Sequence, residues 1–236
     1  MAIPERKDGA PWRNFYGRRF GKTLRKGQVV HLATTLKAVQ VPNVGWDENP
    51  DRLPIDLKNL FGRQAPLWLE IGFGGGEHLL HQAITNPQIN LIGCEPFING
   101  VAMLVPHIAE TQVSNIRIHP GDVRDLLDLL PEGSVEKVFL LYPDPWPKTR
   151  HHKRRFVNAE FIDPLAKAMK TGSEFRVATD IPDYARHALE HFDQRSDFER
   201  QETELHQPWP DWQGTRYEAK ALQAGRKPHY LTFIRL

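Results

Sequence analysis

Cysteine is nearly absent from this sequence of 236 residues, in which Cys94 is the single example. An internal disulfide and a thiolate cluster for zinc or for iron and sulfur are thereby excluded, and a reducing compartment suits the chain. Also missing is any apolar run close to the roughly 18 residues that a membrane-crossing helix requires, and no apolar signal core lies near the N-terminus. The expectation is a cytoplasmic protein with no membrane association. Charge of one sign is scarce as well: 31 Lys and Arg face 29 Asp and Glu, a formal net charge of +2. No repeat of solenoid spacing and no linker signals a second domain.

What charge there is, is unevenly placed. Residues 1–30 carry eight Lys or Arg against Glu5 and Asp8, a net +6 on an otherwise slightly acidic chain. A second block, KTRHHKRR from Lys148 to Arg155, has five cations and no acid. Concentrated cations of this kind are the footprint expected for a phosphate backbone, where Lys and Arg displace condensed counterions. Residues 1–30 mix cations, aromatics and glycines without an apolar period, so they are expected to form a basic arm that orders on nucleic acid, ahead of one domain at 31–236.

From about residue 66 onward, strand-length apolar runs alternate with helix-length amphipathic ones: LWLEIGF, INLIGCE, NIRIHPGD, VEKVFLLYPD and EFRVATD are each followed by a helical stretch. Five βα units imply a mostly parallel sheet covered on both faces, with ligands beyond the carboxyl ends of the strands. After the stretch HQPWPDW (206–212), HYLTFIRL (229–236) is expected to close the sheet as an antiparallel edge.

The strand ends hold the chemistry. EIGFGGGEH places Glu70, Gly72, Gly74 and Gly76 at the first strand-to-helix turn, where absent Cβ atoms let the backbone approach a ligand. The spacing is Gly-x-Gly-x-Gly, unlike the nicotinamide fingerprint, since Glu77 stands where the third glycine of that motif would be. Glu95, at the second strand end, suits the two hydroxyls of a ribose, and Asp122, at the third, the exocyclic amine of an adenine. Each acid alone also reads as a helix cap or a turn residue. A nucleoside pocket without a triphosphate clamp fits S-adenosylmethionine. At the fourth strand end, YPDPWPKTRHHKRRF (142–156) brackets Asp144 and Trp146 with Pro143, Pro145 and Pro147, stiffening a carboxylate beside an aromatic ring. Asp144 is suited to the imino and amino groups of guanine, with the basic block beside it for RNA phosphates. A nicotinamide oxidoreductase, an RNA-binding protein without catalysis and a methyltransferase for another substrate are the other readings.

The segments EIGFGGG, GCEPF, GDVRDLL, PDPWPKTRHHKRR, ATDIPDYA and TRYEAK, in this order, resemble the bacterial tRNA (guanine-N(7)-)-methyltransferases from about residue 15 to the C-terminus. The resemblance implies a Rossmann-like class I methyltransferase fold with a seven-stranded sheet, acting on the variable-loop guanine (position 46) of tRNA with S-adenosyl-L-methionine. By position it implies cofactor contacts at Glu70, Gly72, Gly74, Gly76, Glu95, Asp122 and Asp144, the last also catalytic. It further implies substrate contacts at Lys148, Asp180, Thr215, Arg216, Tyr217 and Glu218, and RNA contacts at Arg150, His151, His152, Lys153, Arg154 and Arg155. Thr149 and His152 fall in a run that is usually basic or polar in such proteins, and the residues after Asp180 vary. Thr215 and Glu218 also have the spacing of a capping box, and Asp180 that of a helix cap. No metal is expected, and the chain is expected to be a monomer or a homodimer.

Overall fold

Leu, Ile, Val and Phe fill both faces of the central strands, so these strands form where helices can cover them on either side. The computed structural model describes residues 16–202 and 204–236. Its strands are β1 (Leu67–Ile71), β2 (Asn90–Cys94), β3 (Ile116–His119), β4 (Val135–Leu141), β5 (Met169–Thr179), β6 (Phe198–Arg200) and β7 (His229–Arg235). They make one sheet in the order β3-β2-β1-β4-β5-β7-β6. The first five are parallel, and β7 runs antiparallel to both β5 and β6. The C-terminal strand is therefore antiparallel but lies one place in from the edge. The outermost strand, β6, has three residues and a single buried apolar side chain, Phe198, too little for a strand signal in the sequence.

Period-two alternation sends successive side chains to opposite faces. On one face Leu69, Ile71, Val138, Leu140 and Val177 pack with α6 (Val123–Leu127), α7 (Ala159–Ala168) and α8 (Pro182–Asp193). On the other, Leu91, Ile116 and Ile118 pack with α4 (Glu77–Thr85) and α5 (Ile98–Thr111). Over β4, β5 and β7 the Pro and Trp rich stretch covers that second face. Trp209 and Trp212 pack with Phe139, Leu141 and Tyr230, and the Trp209 indole donates to Thr232 Oγ1 at 2.9 Å. No helix of the described residues is long and apolar enough to cross a membrane.

Ahead of the sheet, continuous helical backbone runs through α1 (Lys26–His31), a π-turn (Leu32–Leu36) and α2 (Lys37–Val39), followed by α3 (Leu57–Phe61). The expected boundary at residue 30 falls inside this helix, and residues 1–15 of the expected arm lie outside the described residues. The described part of the arm is docked rather than free, because α5 offers it partners. Pro106 has no N–H to give to the carbonyl four residues back, and that carbonyl, Ala102 O, instead accepts from Gln28 Nε2 of α1 at 3.2 Å. Asn99 does the same for the preceding coil: its side chain accepts from Gly21 N at 2.7 Å and donates to Lys22 O at 2.6 Å.

Two glycines allow the first βα turn to lie against α5. Gly76 starts α4 at φ +79°, where a Cβ would also meet Leu104 within 2.9 Å. A Cβ on Gly100 of α5 would stand 2.2 Å from the carbonyl oxygen of Gly74, which is backbone and cannot rotate away. Gly100→Ala is expected to push the turn off α5 and destabilise the fold by about 1–3 kcal/mol, the usual range for overpacking. A urea-unfolding midpoint equal to that of the unmodified chain would show that this close approach is unimportant.

Candidate active site

Strand order reverses between β1 and β4, and open α/β sheets bind ligands beyond the strand ends at such a point. A cavity of about 650 Å³ opens there, walled by the ends of β1, β2 and β4 and the turn after β3. Its floor is apolar, with Ile71, Cys94 and Leu140, and Gly72 and Gly74 line its rim. Gly72 N and Phe73 N both donate to Cys94 O, at 2.8 and 3.3 Å, which folds the glycine turn over the end of β2.

Glu95 fastens the next layer. One carboxylate oxygen accepts from Gly74 N at 2.6 Å and the other from Phe97 N at 2.8 Å, so a single buried acid joins the glycine turn to the start of α5. Each oxygen retains acceptor capacity, and the residue lines the cavity. Burial pushes the Glu95 carboxyl up from its ordinary value, with nearby Asp144 adding to the rise; the two backbone amides and Arg216 oppose it. Asp122 also faces the cavity and caps α6 as well: Oδ1 accepts from Arg124 N at 3.0 Å and Oδ2 from Arg124 Nε at 2.9 Å.

Asp144 stands at the mouth. It has no hydrogen-bond or ion-pair partner among the described residues, and the protein packed around it raises its carboxyl above the ordinary aspartate value. The neighbouring backbone is unusual, with Tyr142 at φ +51° and Trp146 at φ +40°, a region that side-chain-bearing residues seldom enter. Strained backbone of this kind persists only where its surroundings hold it. One holder is Glu218 in α9 (Arg216–Gln223), whose Oε2 accepts from the Tyr142 hydroxyl at 3.0 Å and the Trp212 indole at 2.6 Å.

Several expected contacts are placed differently. Glu70 does not line the cavity: it points to the α4 face of β1, is 3% exposed, and its carboxylate meets His78 Nδ1 at 2.7 Å. Strand alternation explains this, because its neighbour Ile71 takes the cavity side. Gly76 lies beneath the rim against Leu104, as a packing residue. Asp180 pairs with Arg226 at 2.5 Å, away from the cavity lining. Thr215 caps α9 by accepting from Glu218 N at 3.1 Å, but Glu218 turns its carboxylate to Tyr142 and Trp212 instead of completing a capping box. Within that stretch Tyr217 lines the cavity, while Arg216 sits 3.7 Å from Glu77.

The basic block is split by its geometry. Lys148 precedes a 3₁₀ turn (Thr149–Arg154), and Lys148, Arg150 and Lys153 are exposed, as RNA contacts must be. The His151 ring packs edge-on to Trp146, with centroids 6.0 Å apart, and half-buried His152 has Nε2 3.7 Å from Asp183. Arg154 lies between the rings of Tyr16 and Trp146, 4.2 and 4.9 Å from their centroids, and lines the cavity. Arg155, an expected RNA contact, is 1% exposed, its guanidinium enclosed by protein, unlike the exposed cations before it. Sequence reasoning also missed Tyr16 and Arg18, which line the cavity. The aromatic and basic run there was a signal, but nothing local brings residue 16 to residue 154.

A family model described as "Putative methyltransferase" matches residues 64–231. The tRNA (guanine-N(7)-)-methyltransferase of Roseobacter denitrificans is 56% identical over 97% of this chain and 99% of its own length. That of Cereibacter sphaeroides is 58% identical over 97% and 93%. Among solved structures, the 16S rRNA methyltransferase KamB superposes with a TM-score of 0.56 at 14% identity, covering 78% of this chain and 95% of KamB, a likeness of fold alone. With relatives above half identity along almost its whole length, the chain belongs to the tRNA (guanine-N(7)-)-methyltransferase family.

Proposed function

We propose that this chain transfers a methyl group from S-adenosyl-L-methionine to nitrogen 7 of the variable-loop guanine, position 46, of tRNA. The observation that carries the reading is a carboxylate without a partner among the described residues, Asp144, in a cavity that Arg18 and Arg154 also line, with the exposed cations Lys148, Arg150 and Lys153 following it in the chain. The donor set suits the cofactor: acids at Glu95 and Asp122 line a cavity whose rim is glycine and whose floor is apolar, which matches a nucleoside carrying no phosphate. When bound, S-adenosylmethionine supplies an electrophilic methyl on a positively charged sulfur. Glu95 accepts from the ribose hydroxyls, Asp122 from the adenine amine, and Gly72 and Gly74 keep side chains out of the way. Asp144 accepts from the imino and amino edge of guanine, and Trp146 walls the base.

Nitrogen 7 presents a lone pair and no proton, so these residues need only orient the base; no general base takes part. Correct alignment contributes roughly 7–11 kcal/mol in favourable cases. Asp144 also favours the positive charge that the base acquires. Arg18 and Arg154 on the cavity wall give RNA phosphates cationic partners beside the base. The reading places the chain in the cytoplasm as a monomer or homodimer, in keeping with its single buried cysteine.

Asp144→Ala is expected to lower turnover about a hundredfold or more while tRNA binding stays within a few-fold, measured by nucleoside analysis for 7-methylguanosine; unchanged turnover removes Asp144 from the mechanism. Because burial raises the Glu95 carboxyl, it takes up a proton at a pH where a free glutamate is still ionised. Cofactor affinity should therefore fall on acidification from above the usual carboxylate range, and Glu95→Gln should flatten that acid limb while weakening binding about tenfold to a hundredfold. The same sign makes ionised Glu95 a burden on the fold at neutral pH, one relieved as pH falls through its raised folded value toward the ordinary glutamate value. Lys153→Ala should reduce the slope of log tRNA affinity against log salt by about one; an unchanged slope would take this face off the RNA.

A further inference from the structure

The largest fully buried side chain among the described residues is a charged one. Arg155 sits at the end of the basic block, its guanidinium fully shielded, and its donors are spent inside the protein. Nε donates to Pro145 O at 3.0 Å and Nη2 to Trp146 O at 3.5 Å, while Nη1 reaches Asp183 O at 3.4 Å. Nη2 also pairs with the Asp183 carboxylate, and the Tyr184 ring lies 5.4 Å below the guanidinium carbon. Asp183 and Tyr184 belong to the first turn of α8, so the cation bridges a helix and the segment that carries Asp144.

That segment cannot hold itself. Pro143, Pro145 and Pro147 offer no N–H, and Trp146 sits at φ +40°. Donors must come from outside, and a planar guanidinium supplies several in fixed geometry where a lysine ammonium supplies a mobile point charge. We propose that Arg155, braced by Asp183, is the positioning residue for the catalytic segment: it fixes the carbonyls of Pro145 and Trp146 and thereby the approach of Asp144 to the base, and it makes no contact with RNA. This rests on the reading of Asp144 given under the proposed function.

The test is single-turnover methylation of unmodified tRNA at saturating cofactor and tRNA, run beside titrations of tRNA binding at several salt concentrations. For Arg155→Lys the rate is expected to fall about tenfold to a hundredfold, since small misplacements of a reacting group cost that much. Its tRNA affinity should stay within about twofold and its salt slope should equal that of the unmodified chain. A lower salt slope with weakened tRNA binding would make Arg155 an RNA contact and overturn the proposal. An unchanged rate would overturn it too, by showing that Asp144 is held without the fork. Should Arg155→Lys not fold, Asp183→Asn decides: a severalfold slower step at unchanged tRNA affinity supports the brace, and a step as fast as the original refutes it. Failure of the unmodified chain to form 7-methylguanosine would instead strike the proposed function, independently of either variant.

Discussion

Three prolines within five residues take away the backbone donors with which a loop ordinarily ties itself down, and the site is organised around that deficit. Every tie to the segment Tyr142–Pro147 comes from elsewhere in the chain. Glu218 of α9 accepts from the Tyr142 hydroxyl, the Arg155 guanidinium donates to two carbonyls, and Arg154, packed on Tyr16, lies along Trp146. An N-terminal strand of coil, the helix after β5 and the helix before β7 thus converge on one short stretch. Their convergence leaves Asp144 at the cavity without a partner among the described residues. The contrast with Glu95 is instructive, since Glu95 spends one lone pair of each oxygen on backbone amides and so builds the pocket while also lining it.

Much of this was legible in the sequence, because the relevant signals are local. Alternating apolar runs gave the five parallel strands and the helices between them within a few residues, and the acids and glycines at strand ends marked the cavity. What was not legible depends on contacts between distant positions. Arg155 reads as one more cation in a basic run, and only the fold shows that the 3₁₀ turn before it rotates this residue inward while leaving Arg150 and Lys153 outside. Glu70 sits at the right strand end, yet strand parity sends it to the α4 face, where His78 awaits it. The first helix has no buried residue and hence no apolar period to detect.

The net charge of +2 conceals a surface arranged by position. The described part of the first basic block meets the second, more than a hundred residues on, where Arg154 packs on Tyr16, and Arg18 and Arg154 both line the cavity. Acids are kept to the inner wall: Glu95 and Asp122 lie deep, and Asp144 marks the boundary between the two zones. A phosphate backbone is attracted to the outer zone and repelled by the inner one, which lets a base enter while its phosphates stay at the surface.

Pro106 in the middle of α5 looks like a defect, since it forfeits one helical hydrogen bond. The orphaned Ala102 carbonyl it leaves behind works as an address. In regular helix interior every carbonyl already accepts one backbone bond, so along α5 the Ala102 oxygen has the most acceptor capacity left for an outside donor. One missing proton thus helps set where the chain ahead of the domain sits on α5, together with the two bonds of Asn99, although α1 itself buries no residue.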